Sequence, residues 1–185
     1  SQVRTVQGTG VALIAGGGGF SVLSSDQIAL EGLDVPRLPA SVIEEMREFI
    51  PVAGTSVNNP IDANLSRNDP ETTTKLYKLV ATADGIDVVF TTVGGWGGWG
   101  ANNDSDDDTE EQRNERARKS ADDLADLQDA TGTPFVAILR SRGGSSSGLT
   151  AFFKRAHERE LAVFPTLQAA ASSIALMQQW QARRE

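Results

Sequence analysis

Short apolar runs alternate with segments of helical periodicity along this chain, and that alternation fixes the class of fold it can adopt. Val11 to Ala15, Leu33 to Leu38, Asp87 to Val93, Phe135 to Leu139 and Ala162 to Phe164 read as five short strands. The first, Val11-Ala12-Leu13-Ile14-Ala15, is apolar throughout, as a strand covered on both faces must be. Between the runs lie helical patterns. Ser21 to Glu31 carries Val22, Leu23, Ile28 and Leu30, with Gly32 as a stop signal. Pro39-Ala40-Ser41 opens a helix with Val42, Ile43, Met46, Phe49 and Ile50 at helical spacing, and Pro51 ends it. Asp69-Pro70-Glu71 starts the next, with Leu76, Leu79 and Val80 inside and Gly85 beyond its end. Thr109 to Ala130 is a charged helix whose inner face is Ala117, Ala121, Leu124 and Leu127. Leu149 to Glu160 and Thr166 to Arg183 complete the set, with Thr166 as the N-cap of the last. The expectation is an α/β chain folded as a three-layer flavodoxin-like domain, with a five-stranded parallel sheet in the order 2-1-3-4-5. In that arrangement ligands bind beyond the carboxyl ends of the strands, where the order reverses beside strand one.

The 185 residues suffice for one domain with a good core, spanning 1–185. A net charge of −8 and a pI near 4.7 argue against nucleic acid as partner. No stretch approaches the length of a membrane span. Cysteine is absent, which removes disulfides, thiolate metal sites and cysteine nucleophiles, and favours the cytoplasm. The sequence opens Ser1-Gln2-Val3, without Met, and reads as a piece of a larger multidomain chain.

Four successive glycines, Gly16 to Gly19, separate the first strand from the helix that opens at Phe20-Ser21-Val22-Leu23. Bare glycines let the backbone approach a ligand closely. The amides of a first helical turn have no intrahelical acceptor, and the helix dipole adds partial positive charge there. The run therefore favours an oxyanion or phosphate site over a ligand-free turn. A dinucleotide fingerprint is not met, because Ser21 stands where a third glycine is needed and no acid ends the second strand. A nucleoside triphosphate P-loop is worse served, since no lysine lies near the loop. The fold alone leaves flavin mononucleotide open, although a Ser/Thr-rich phosphate loop would suit that cofactor better than glycines.

Larger motifs accompany the glycines. Gly18-Gly19-Phe20-Ser21-Val22-Leu23-Ser24-Ser25-Asp26, Glu31-Gly32-Leu33, Leu38-Pro39, Phe49-Ile50-Pro51, Asn59-Pro60-Ile61-Asp62 and Leu161-Ala162-Val163-Phe164-Pro165-Thr166 occur in order. Together they resemble the NDP-forming acyl-CoA synthetases, the family of ADP-forming acetate–CoA ligase and succinyl-CoA synthetase, over nearly the whole chain. The resemblance implies the second ligase-type, flavodoxin-like domain of such an enzyme. It also implies that this domain's glycine-led helix holds the phosphate of a phosphohistidine carried by another domain. Gly17, Gly18, Gly19, Phe20 and Ser21 are then the phosphate contacts, although the family commonly has glycine where Ser21 stands. CoA and ADP or ATP with Mg belong to the full enzyme. The implied partners are its CoA-binding, histidine-bearing and ATP-grasp domains or subunits. No catalytic residue is assigned here: His157, the sole histidine, sits in no matching motif, and this chain alone is not expected to form a thioester.

Other residues carry two readings each. Asp26 either helps position the phosphohistidine loop or satisfies local hydrogen bonds. Asn59 and Asp62 either support the site or fix a proline turn with their side chains, the second being preferred. Arg140 and Arg142, beside Gly143-Gly144, either steer a phosphate or are ordinary surface arginines. Residues 94–108 read as a mobile loop, with Trp96 and Trp99 as a docking surface. The acidic run Asp104 to Asp108 lacks the spacing of a calcium loop and reads as the solvated start of the next helix; no metal is expected.

Overall fold

The computed structural model describes residues 4–15, 18–51, 54–63, 70–94, 109–139 and 147–184. Four strands form one parallel sheet: β1 (Val11–Ile14), β2 (Val88–Val93), β3 (Phe135–Leu139) and β4 (Ala162–Phe164), in the order β1-β2-β3-β4. Val11 pairs with Val88, Val89 with Phe135 and Val136 with Ala162. Six helices are described: α1 (Gly18–Leu30), α2 (Ala40–Phe49), α3 (Pro70–Ala81), α4 (Glu110–Thr131), α5 (Ser147–Glu158) and α6 (Leu167–Ala182).

The pleat sends alternate residues of each strand to opposite faces, and each face has its own core. Val11, Leu13, Val88, Phe90, Val136 and Ile138 pack with Ile28 of α1 and with Leu167, Ala170, Ala171 and Ile174 of α6. Ala12, Ile14, Val89, Val93, Phe135 and Ala137 pack beneath α2, α3, α4 and α5, through residues such as Met46, Leu76, Leu124 and Phe152. The result is the expected three-layer α/β arrangement, with two helices on one face and four on the other. It is consistent with a flavodoxin-like fold.

The sheet departs from expectation in strand number. The run Leu33 to Leu38 is not a strand: only Asp34 pairs with the sheet, in an isolated parallel bridge to Gly10. Val11 N–H donates to the Asp34 carbonyl (2.8 Å), and Asp34 N–H donates to the Thr9 carbonyl (2.9 Å). In a strand, alternate residues bond to opposite edges. Gly10 receives the amides of Asp87 and Val88, so Val11 and Leu13 face the edge away from β2. Asp34 thus stands where the order 2-1-3-4-5 puts strand two, but the described sheet has four strands. The physical reason is local. Pro36 has no N–H to give, and the next bonding positions on β1 are taken by the side chain of Asn59.

Helix ends follow their sequence signals. Thr109 and Gln112 form a reciprocal capping box on α4: Gln112 N–H donates to Thr109 Oγ1 (3.3 Å) and Thr109 N–H to Gln112 Oε1 (2.9 Å). Gly132 closes α4 in the left-handed conformation, φ 74°. Thr166 caps α6 by accepting from the Ala169 amide (3.1 Å).

The charged face of α4 meets α5 in an ion-pair cluster. Asp122 accepts from Arg155 Nε (2.9 and 3.0 Å) and from Arg159 Nη1 (2.6 Å). Arg159 also reaches Asp126 (2.7 Å) and Asp129 (3.4 Å), and Arg4 pairs with Asp129. Burial would push the Asp122 carboxyl up, but the bonds and charges of Arg155 and Arg159 outweigh it and hold it below the usual carboxylate range. The Asp129 carboxyl is held low as well, chiefly by Arg4.

Two predictions follow from this packing. A group with a lowered folded-state pKa stabilises the fold above its unfolded value, and loses that contribution as pH falls through the folded one. Asp122→Asn should therefore cost about 1 kcal/mol at pH 7, a modest figure because the pair is partly solvated. Urea unfolding of the two proteins should show this gap closing as the pH is taken down toward 2. Gly10 tests close approach: a Cβ there would lie 1.8 Å from the Gly85 carbonyl oxygen. Gly10→Ala should destabilise by roughly 1–3 kcal/mol in the same assay.

Candidate functional site at the start of the first helix

The strand β1 runs to Ile14, and α1 opens at Gly18. The start of α1 therefore lies beyond the carboxyl end of β1, the edge where α/β sheets gather their ligands. α1 has 13 residues, enough for an established dipole. Its first three amides, those of Gly18, Gly19 and Phe20, lack intrahelical acceptors by the geometry of the helix. Two of those three positions are glycine and carry no side chain of their own. Such a start supplies hydrogen-bond donors and partial positive charge to an anion.

Beside this point sits a compact excursion, residues 56–62. Ser56 and Asp62 exchange both backbone bonds (2.8 and 2.9 Å), closing the excursion on itself. Within it, the side chain of Asn59 behaves as a short piece of strand. Its Oδ1 accepts from Leu13 N–H (2.9 Å), and its Nδ2 donates to the Val11 carbonyl (2.7 Å) and the Pro36 carbonyl (3.0 Å). The next step is taken by Ile61, whose N–H donates to the Leu13 carbonyl (2.8 Å) while its carbonyl accepts from Ala15 N–H (3.1 Å). The peptide bond between Asn59 and Pro60 is cis. Ile61 is fully buried. The outer-edge groups of β1, from the Val11 amide to the Leu13 carbonyl, and the Ala15 amide just beyond are thereby engaged.

Beneath the same end of the sheet, on the four-helix face, Tyr77 and Thr91 share a buried hydrogen bond (2.6 Å). Thr91 pairs in register with Ile14, and the Tyr77 ring stacks on Phe135 at 5.9 Å. Burial pushes the Tyr77 phenol well above its ordinary value, and the bond to Thr91 offsets only part of this. The phenol stays neutral and acts as a fixed polar strut in an apolar layer.

The structure brings some of the sequence-derived site residues together and separates others. Gly18, Gly19, Phe20 and Ser21 occupy the first turn of α1, while Gly17 lies outside the described residues. Asn59 and Asp62 belong to the excursion that meets the end of β1. Asp26 is exposed and stands two turns on, about 12 Å along the axis from Gly18. Arg140, Arg142, Trp96, Trp99, Asp104 to Asp108, and all of the 94–108 loop except Gly94 lie outside the described residues. His157 is exposed near the end of α5, which leads into β4, so it sits toward the opposite edge of the sheet. Among the described residues no group of three or more His, Cys, Asp or Glu gathers as a metal site. No described helix is long and apolar enough to cross a membrane.

The sequence reading missed the Tyr77–Thr91 pair. Its signal was present: the only tyrosine of the chain falls at a core position of α3, and a threonine interrupts an apolar strand.

Residues 11–92, which contain β1, the glycine-led helix, the excursion and most of β2, match the family model described as a Ligase-CoA domain. No curated protein sequence matches the chain. Among solved structures, PH0766 from Pyrococcus horikoshii OT3 superposes with a TM-score of 0.69 at 19% identity, over 97% of this chain and 38% of that one. The dinucleotide-forming acetyl-coenzyme A synthetase 1 of Ca. Korarchaeum cryptofilum, in its apo form, superposes with a TM-score of 0.65 at 20% identity, over 100% of this chain and 36% of that one. The same synthetase in complex with phosphate and ADP gives the same score and identity, with 35% of that chain covered. At these identities the likeness concerns the fold, and the chain spans little more than a third of each relative's length.

Tyr77→Phe isolates the strut. It removes one buried hydroxyl and leaves Thr91 without that partner, which should cost about 1 kcal/mol in denaturant unfolding and leave the fold intact.

Proposed function

We propose that this chain, a Ligase-CoA-type domain related to the NDP-forming acyl-CoA synthetases, holds the phosphoryl group of a phosphohistidine supplied by another domain or subunit. The observation that carries this reading is the placement of Gly18-Gly19 as the first residues of α1, directly beyond the carboxyl end of β1. A dianionic phosphoryl group at such a start meets several main-chain donors at once. The dipole term contributes about 1–2 kcal/mol when the site is partly buried. Gly17 to Ser21 are the contacts. Asn59 and Asp62 support the turn, Arg140 and Arg142 add positive charge, and Asp26 acts on the incoming loop.

The parent reaction would interconvert acyl-CoA, NDP and phosphate with carboxylate, CoA and NTP. In it the CoA-binding, histidine-bearing and ATP-grasp domains would supply CoA, the histidine and ADP or ATP with Mg. A complex with phosphate and ADP is known for the Korarchaeum relative. This chain would contribute a cradle and no reacting side chain, so alone it would make no thioester. A cytoplasmic setting, read from the cysteine-free composition, belongs to the same proposal.

A second reading, a docking module of the same fold without a phosphate role, is favoured by the exposure of Leu23 (73%) and Leu30 (87%) on α1. Inorganic phosphate distinguishes the two. Titrated into the ¹⁵N-labelled chain, it should shift the amides of residues 18–21 selectively. The affinity should be on the order of millimolar, equivalent to about 4 kcal/mol. Gly18→Val should weaken it at least ten-fold with an unchanged far-ultraviolet circular dichroism spectrum. Wild-type amides that ignore phosphate would favour the docking module.

A further inference from the structure

The geometry points to Asn59 as a positioning residue: its side chain completes the outer edge of β1 and so fixes the point from which the glycine-led turn departs. This rests on the phosphate reading above and adds to it the element that presets the site. The outer edge of β1 is served by three separate devices. Asp34 bonds Val11 through its backbone, Asn59 bonds Val11 and Leu13 through its side-chain amide, and Ile61 bonds Leu13 and Ala15 through its backbone. Asn59 is the middle one and the only one made by a side chain.

Residue chemistry makes Asn specific here. The site asks for one acceptor toward Leu13 N–H and one donor toward two carbonyls, of Val11 and Pro36. A side-chain amide presents both on one planar group. Aspartate keeps the acceptor and loses the donor; alanine loses both. The bond to the Pro36 carbonyl also ties the segment after Asp34 to the same point, so one side chain joins three stretches of chain. Ala15, the last described residue before the glycine turn, takes its bond from Ile61 just two residues after Asn59. Loosening Asn59 therefore loosens the registration of Ala15, and the first-turn amides of α1 lose their preset direction toward an anion. Preorganised donors bind more tightly than donors that must be ordered by the ligand.

The test uses the 185-residue chain, inorganic phosphate and amide-resolved NMR. Asn59→Ala should weaken phosphate binding about ten-fold, and Asn59→Asp by a similar factor. Asp122→Asn, a control in the ion-pair cluster between α4 and α5, should leave binding within two-fold at comparable loss of global stability. Reciprocity supplies a second measurement that needs no variant: phosphate should slow hydrogen exchange of the Leu13, Ala15 and Ile61 amides in the wild type. If phosphate binds the wild type but neither the Asn59 variants nor these exchange rates respond, the positioning role is overturned while the phosphate site stands. If the Asn59 variants do not fold, the exchange rates decide alone. If the wild type does not bind phosphate at all, the site reading falls, and this inference falls with it.

Discussion

A buried strand cannot leave its main-chain polar groups unpaired, and in this fold that requirement presses hardest on the outer edge of β1. The inner edge is satisfied by β2 in a regular parallel ladder. On the outer edge the available neighbour, residues 33–38, carries Pro36 and follows the strand for one bridge only. The shortfall is met by a side chain and by a second bridge from residue 61. A parallel neighbour would have given a longer but featureless edge. The substitute draws a distant segment, residues 56–62, against the carboxyl end of β1, which is the end that feeds the helix bearing the candidate site.

The two layers flanking the sheet differ in how they are secured. On the four-helix face, α4 and α5 are joined by apolar contacts below and by the Asp122–Arg155–Arg159 cluster above. The cluster is partly solvated, so its share of stability is modest beside the apolar burial beneath it. One carboxylate shared by two guanidinium groups is better suited to fixing the relative orientation of the segments it joins. The Tyr77–Thr91 bond does the same inside the layer, holding α3 over the middle of β2 with no charge to solvate.

Much of this was legible along the chain, for a physical reason. Strands covered on both faces are predominantly apolar, so 11–14, 88–93, 135–139 and 162–164 stand out along the chain. The inner face of α4 followed from Ala117, Ala121, Leu124 and Leu127 at helical spacing, and all four are buried. Thr166 was read as a cap because a hydroxyl before an apolar helix has one strong local use. The run 33–38 misled because its apolar content described burial rather than pairing: Leu33 and Leu38 are buried, yet only Asp34 bridges. What replaced the missing strand was an amide 46 positions from its partner Leu13, and no local pattern encodes such a bond. The ion-pair cluster was hidden likewise, since the charges of α4 look the same whether they meet water or Arg155 of α5 and Arg159 just beyond it.

The placement of α1 gives that edge its functional weight. Among the described side chains of this helix only Ser24 and Ile28 are buried, while Leu23, Asp26, Ala29 and Leu30 face outward. α1 shares its face of the sheet with α6 alone. The direction in which α1 starts is set in part by the chain that enters it. That chain is β1, and the last bond before the glycines is the one from Ala15 to Ile61. Direction matters more at this terminus than elsewhere, because a helix-terminal anion site depends on several amides converging on one point. On the proposed phosphate reading, the fixed edge of β1 would supply aim and the first turn of α1 donors.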